Sequence, residues 1–142
     1  MKHLYGRAFV DGALRDDMLV TIAEQVIVDA EQTTRVPAGA ERVDGILVPG
    51  FVDVHVHGGD GADFMDAHEE ATMRILRFHA SRGTTALAAT TLSASRGDLQ
   101  NAVETIARVS GEGSAGAEIV GVHLEGPFIN AARAGEIGRA HV

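Results

Sequence analysis

The chain has 142 residues, 45% hydrophobic and 23% charged, enough to bury a core and unlike a disordered tail. It contains no cysteine, which excludes a disulfide scaffold and any thiolate metal or redox site, so a bound metal would have to use histidines and carboxylates. The net charge of −8, with Lys2 the sole lysine and the arginines scattered, offers no basic face for nucleic acid.

The start, MKHLYGRAFVDGALRDD, has no apolar core of signal-peptide kind, and no apolar run reaches membrane length. A cytoplasmic location without membrane contact is the expectation. From Leu4 to Val48 the chain reads as strand-like pieces, LYGRAFVDG, MLVTIAEQVIVDA and RVPAGAERVDGILVPG, punctuated at Gly6, Asp11-Gly12, Pro37 to Gly39 and Asp44-Gly45. This predicts a small β-layer of hairpins over residues 1–48.

After Pro49 the pattern changes. GFVDVHVHG is strand-like, and Ala67 to Arg82 places Met73, Leu76 and Ala80 near helical spacing behind an acidic first turn that suits the helix dipole. GTTALAATTL reads as a buried strand. Ser95 opens a second helix, with Asp98 as its acidic first-turn partner and Leu99, Val103, Ile106 and Val109 as its apolar stripe to Gly111. EIVGVHLEG is the next strand, reached through the loop SGEGSAGAE. Strands alternating with such helices indicate βαβ units and a parallel sheet, either doubly wound or a (β/α)₈ barrel. Three strands cannot close a barrel, and the stretch after Pro49 is far short of the roughly 250 residues of a whole one.

The chemistry concentrates in PGFVDVHVHGGDG, Pro49 to Gly61. Side chains alternate along a strand, so His55 and His57 should share a face about 6.5–7 Å apart along it, and one ion near the strand end could meet both. Asp53 should lie on the same face one step back, placed to support a ligand. Gly58, Gly59 and Gly61 would leave the mouth of the strand open to a ligand. A bare HxH is equally compatible with two ordinary strand histidines. HLEGPF, His123 to Phe128, strengthens the metal reading: Glu125 ends the third strand at the same end of the sheet, and two histidines with a carboxylate suit zinc or iron(II). His123, a layer deeper, reads as a packing or supporting residue. His3, His68 and His79 read as surface or packing residues, and Asp60 and Asp63 as turn residues. The hydroxyls of TTLSAS lack a base and read as strand and cap chemistry, and no GxGxxG, P-loop or GxSxG is present.

Taken in order, a β-rich amino-terminal segment, PGFVDVHVHGG, GTTALAATTL and GVHLEGPFIN resemble the amidohydrolase superfamily and, within it, the N-acetylglucosamine-6-phosphate deacetylase family. The resemblance runs to about Gly135. It implies an α/β fold, the first three βα units of an incomplete metal-dependent (β/α)₈ TIM barrel over residues 49–135, with residues 1–48 part of a small β-sandwich. It implies hydrolysis of the N-acetyl group of a sugar phosphate to acetate and glucosamine 6-phosphate, with Glu125 as principal metal ligand and His55 and His57 binding a further divalent metal. It also implies a homodimer in the whole protein, and a catalytic aspartate and two more histidine ligands on later strands, so no catalytic residue is assigned within this chain.

Glu136 to Val142, EIGRAHV, departs from the family pattern and matches what a common sequencing adapter encodes in one frame. The expectation is that this heptapeptide is an artefact, that His141 has no role, and that the chain is an inactive fragment with an unpaired barrel edge and poor solubility. Two other readings stay open: a dihydroorotase-like or hydantoinase-like cyclic amidase, and a non-catalytic metal- or partner-binding protein.

Overall fold

A computed structural model describes residues 1–113 and 116–129. The adapter-like heptapeptide and His141 lie outside the described residues. The chain divides into two compact units, Met1–Pro49 and Gly50–Val142.

The first unit is a four-stranded sheet of β1 (Lys2–Val10), β2 (Ala13–Ala23), β3 (Val26–Gln32) and β4 (Glu41–Leu47), ordered β3-β2-β1-β4. Asp11 and Gly12 join β1 to β2 with φ of 51° and 77°. Two positive-φ residues give the turn a twist that matches that of the flanking strands. MLVTIAEQVIVDA, which reads as one strand, is folded back on itself: Glu24 and Gln25 adopt φ of 48° and 68°, and β2 pairs antiparallel with β3. Neither residue is a usual turn former, so the turn carries no composition signal.

Nor is the unit made of hairpins alone, because β4 runs parallel to β1. Asp44-Gly45 is no turn but an irregularity inside β4, where the ladder steps from Gly6↔Val43 to Arg7↔Ile46. Gly6 is needed there, since a Cβ would lie 2.6 Å from the Val43 carbonyl oxygen. Alternate residues put Ala8, Met18 and Val20 into a buried cluster, with Leu4, Val10, Ile22, Ala30 and Leu47 packed around it.

The second unit is α/β. Its main sheet has order β5-β8-β9, from β5 (Phe51–Val56), β8 (Thr84–Thr90) and β9 (Glu118–His123), all parallel. Between β5 and β8 lie a two-residue hairpin, β6 (Gly58–Gly59) and β7 (Ala62–Asp63), a 3₁₀ turn Phe64–Asp66, and helix α1 (Glu69–Ala80); helix α2 (Arg96–Glu112) joins β8 to β9.

His68 is the N-cap of α1, its side chain accepting from the Glu70 N–H, so it caps rather than merely faces solvent. Ser95 caps α2 by accepting from the Asp98 N–H, as its position predicts. The buried face of α2 is Ala102, Thr105, Ile106 and Val109, rotated from the predicted stripe. Leu99 and Val103 instead border a shallow groove with Leu124 and Pro127. Thr105 belongs to this face because its hydroxyl donates to the Ala67 carbonyl at 3.2 Å, a bond that hydropathy does not encode.

One core joins sheet and helices: Val56, Leu87, Ala89 and Ile119 from the strands, Ile75, Leu76, Ile106 and Val109 from the helices, and Phe64 from the 3₁₀ turn. Ile75, Leu76, Leu87 and Ala89 are completely buried. Among the described residues, no helix is long and apolar enough to cross a membrane.

Candidate metal centre

The carboxyl ends of the three parallel strands carry His57, Thr90-Thr91 and His123 to Glu125 side by side. The Thr91 N–H donates to the His123 carbonyl at 3.0 Å, which holds the ends of β8 and β9 together. Glu125 stands two residues beyond β9, in the loop and not on the strand. Gly126, at φ 95°, lets this loop lie against Ser93: a Cβ there would come within 3.0 Å of the Ser93 Cα.

As alternation predicts, His55 and His57 share one face, with the buried Val56 between them turned to the core. The ladder between β5 and β8 is irregular between Asp53 and Val56: Asp53 pairs with Leu87 and Val56 with Ala89, so β5 advances three residues against two on β8. Such a bulge turns side chains locally and is common beside functional sites. The rings converge until His55 Nε2 lies 3.1 Å from His57 Nε2, far closer than the repeat of an extended strand. Glu125 Oε2 is 2.9 Å from each of these nitrogens. Sequence separation is 70 residues between His55 and Glu125, so packing alone unites them.

The side chains of His57 and Glu125 retain 14% and 23% of their exposure, and that of His55 retains 48%. The cluster is therefore open from one side. His57 Nδ1 is buried without a hydrogen-bond partner among the described residues.

The other singled-out residues divide by role. Asp53 Oδ1 accepts from the His55 backbone N–H at 3.1 Å, so it braces the ligand-bearing backbone. His123 stacks its ring edge-on against His55, with centroids 4.7 Å apart, and its Nδ1 lies 3.4 Å from Thr90 Oγ1. His3 Nδ1 pairs with Thr21 Oγ1 at 3.1 Å in the first unit. His79, expected to be a packing or solvent-facing residue, is hydrogen-bonded through Nε2 to the Gly58 carbonyl at 3.0 Å.

Of the glycines after the histidines, Gly61 faces open space, while Gly58 and Gly59 are crowded. Gly58 and Gly59 form a closed hairpin in which a Cβ on Gly58 would lie 2.1 Å from the Ala62 carbonyl oxygen and one on Gly59 2.7 Å from the Phe78 ring. They are glycines because the hairpin packs too tightly for a side chain. Asp60, at φ 54°, is in the turn of this hairpin, and Asp63 caps the 3₁₀ turn in a reciprocal capping box with Asp66. Thr90, which reads as an ordinary strand residue, is fully buried and accepts from the Val56 N–H through its hydroxyl, a contact that sequence reasoning missed.

The amidohydrolase family matches residues 46–141. The chain belongs to that family. N-acetylglucosamine-6-phosphate deacetylase of Vibrio furnissii is 35% identical over 120 residues, covering 80% of this chain and 29% of that protein. The same enzyme of Bacillus subtilis is 42% identical over 96 residues, covering 65% of this chain and 24% of the relative. Among solved structures, N-acetyl-D-glucosamine-6-phosphate deacetylase from Mycobacterium smegmatis superposes with a TM-score of 0.82 at 28% identity, over 99% of this chain and 39% of that one. The chain spans about a quarter of the length of the curated relatives it matches.

Amidohydrolase membership makes a metal the group to test against these residues. Ligand atoms held about 2.0–2.2 Å from one small divalent ion stand roughly 3 Å from each other. The two imidazole nitrogens and the carboxylate oxygen form a triangle with edges of 3.1, 2.9 and 2.9 Å. Two neutral ring nitrogens and an anionic oxygen are a suitable donor set for zinc or iron(II). His55, His57 and Glu125 could therefore hold a divalent metal.

Proposed function

We propose that this chain is the amino-terminal part of a metal-dependent deacetylase that hydrolyses N-acetylglucosamine 6-phosphate to glucosamine 6-phosphate and acetate. The observation that carries the reading is the convergence of His55, His57 and Glu125 at the carboxyl ends of parallel strands in an amidohydrolase chain. Ligands in closed α/β barrels bind at that end. In this reading β5, β8 and β9 are the first strands of a (β/α)₈ barrel, and residues 1–48 belong to a small β-sandwich beside it.

His55, His57 and Glu125 hold the metal. The chemistry supplied by a zinc or iron(II) ion bound there would be polarisation of the acetyl carbonyl and a lowered pKa of water. Glu125 would supply the negative charge to hold a cation alongside the two imidazole nitrogens. His123 backs the His55 ring, and Asp53 fixes its backbone. The proton for the leaving amine must come from a positioned acid, which we assign to an aspartate on a later strand of the whole protein. The whole protein is a cytoplasmic homodimer in this reading, with a small sugar phosphate as substrate.

Two measurements test it. Titration of the 142-residue chain with Co²⁺ should give a visible-absorption change that Glu125→Gln weakens by more than about a hundredfold, beyond the ten- to hundredfold cost of changes outside the ligand set. Acetate release by the whole protein should require N-acetylglucosamine 6-phosphate and fail with a cyclic amide. Hydrolysis of a dihydroorotate- or hydantoin-type ring instead would replace the deacetylase reading, and preference for the galactosamine epimer would correct its sugar.

A further inference from the structure

Beside the irregular step between Asp53 and Val56, two backbone N–H groups, those of His55 and Val56, are held by side chains on either side of the first ring. A buried amide without a partner opposes the conformation that strands it. Both amides are satisfied by side chains: Asp53 Oδ1 accepts from His55 at 3.1 Å, and Thr90 Oγ1, from the next strand, accepts from Val56 at 2.9 Å. Val56 is the residue between the two histidines.

Thr90 is completely buried, and its hydroxyl meets three partners. It donates to the Ala88 carbonyl at 3.2 Å, accepts from Val56, and lies 3.4 Å from His123 Nδ1. A hydroxyl has one hydrogen and two lone pairs. With its hydrogen directed at Ala88, the Thr90 hydroxyl keeps a lone pair that can accept an Nδ1–H of His123, whose ring stands edge-on against His55.

We infer that the Thr90 hydroxyl is a positioning group for the candidate metal centre: it pins the β5 bulge through Val56 and the His55 ring through His123, and so makes His55 and His57 converge. The binding readout of this inference rests on the metal reading above. Its backbone readout does not.

The test compares Thr90→Val, which keeps the shape and loses the hydroxyl, with Thr90→Ser, which keeps the hydroxyl. Thr91→Val is the control, because the Thr91 hydroxyl is buried with no partner among the described residues. In Co²⁺ titrations of the 142-residue chain, Thr90→Val should bind about ten- to hundredfold more weakly, the usual effect of groups that orient ligands. Thr90→Ser and Thr91→Val should bind like the unaltered chain. A folded Thr90→Val with unchanged Co²⁺ affinity, or a Thr90→Ser as weak as Thr90→Val, would overturn the inference.

Amide hydrogen exchange at Val56 supplies the independent arm. Protection in the unaltered chain and in Thr90→Ser supports the inference even if Thr90→Val does not fold, and exchange at the rate of a free peptide overturns it. If the unaltered chain binds no Co²⁺, the metal reading fails, and the role of Thr90 stands or falls on whether Thr90→Val releases Val56.

Discussion

The two sheets of this chain reach their registers by different routes. In the antiparallel part of the first sheet, positive-φ turns at Asp11-Gly12 and Glu24-Gln25 bring neighbours in sequence together, and the register follows from the turns. In the second sheet no turn sets the register. Each parallel pair is separated by a helix, and the strands are aligned by what those helices bury: Ile75 and Leu76 from α1, Ile106 and Val109 from α2. The consequence is functional. In the first sheet two turns join sequence neighbours, whereas the site on the second sheet exists only once three distant strand ends are packed.

The contrast can be broken most sharply at the shared core of the second unit. Leu76→Ala should cost about 2–5 kcal/mol, because the side chain is fully buried and its loss leaves a cavity. Urea unfolding followed by far-UV circular dichroism measures this, while fluorescence of Tyr5, the sole tyrosine, reports on the first sheet in a chain without tryptophan. If Tyr5 follows the same shifted curve, the two sheets do not unfold separately.

A smaller effect is expected where the second unit does depend on local structure. Gly58→Ala drives a Cβ into the Ala62 carbonyl and should destabilise the hairpin by roughly 1–3 kcal/mol, the usual range for overpacking. Nuclear magnetic resonance shifts of the His79 ring, bonded to the Gly58 carbonyl, would show whether the hairpin moves.

The first sheet should in turn show a pH dependence of its own. Tyr5 donates its hydroxyl to Asp17 Oδ1 at 2.7 Å, and this bond, with burial and the Asp17 charge, raises the phenol's pKa against the opposing Arg42. The folded chain thus holds the phenolic proton more tightly than the unfolded chain. The contribution is complete below a pH of about 10 and is lost as pH rises through the folded value. Urea midpoints at pH 8 and pH 11 should differ more for the unaltered protein than for Tyr5→Phe.

The smallest effect is at the exposed ion pair Arg7–Asp16, 2.7 Å apart with side chains 53% and 68% exposed. Arg7→Ala should cost between 0 and about 1 kcal/mol, and less in high salt.

Much of this could be read from residues in order. The helices were announced by their acidic first turns and α2 also by its Ser95 cap with Asp98, because capping is a contact between near neighbours, while the His68 cap of α1 went unread. Residue type together with position singled out His55, His57 and Glu125: two histidines at strand spacing and a carboxylate at the carboxyl end of a later strand. Less accessible were the turn at Glu24-Gln25, the parallel pairing of β4, and the closed packing of Gly58-Gly59, each decided by a partner elsewhere in the chain.

The sequence by itself determined the kinds of element, their alternation after Pro49, and the donor atoms available for chemistry. Tertiary structure alone decided that the two imidazoles meet at 3.1 Å, that Glu125 reaches both at 2.9 Å, and that a threonine hydroxyl accepts from the Val56 N–H between the two histidines. The physical reason is range. Propensity and capping act over a turn of chain, while the bulge in β5 and the carboxylate 70 residues away are held by packing between elements that the local sequence does not see.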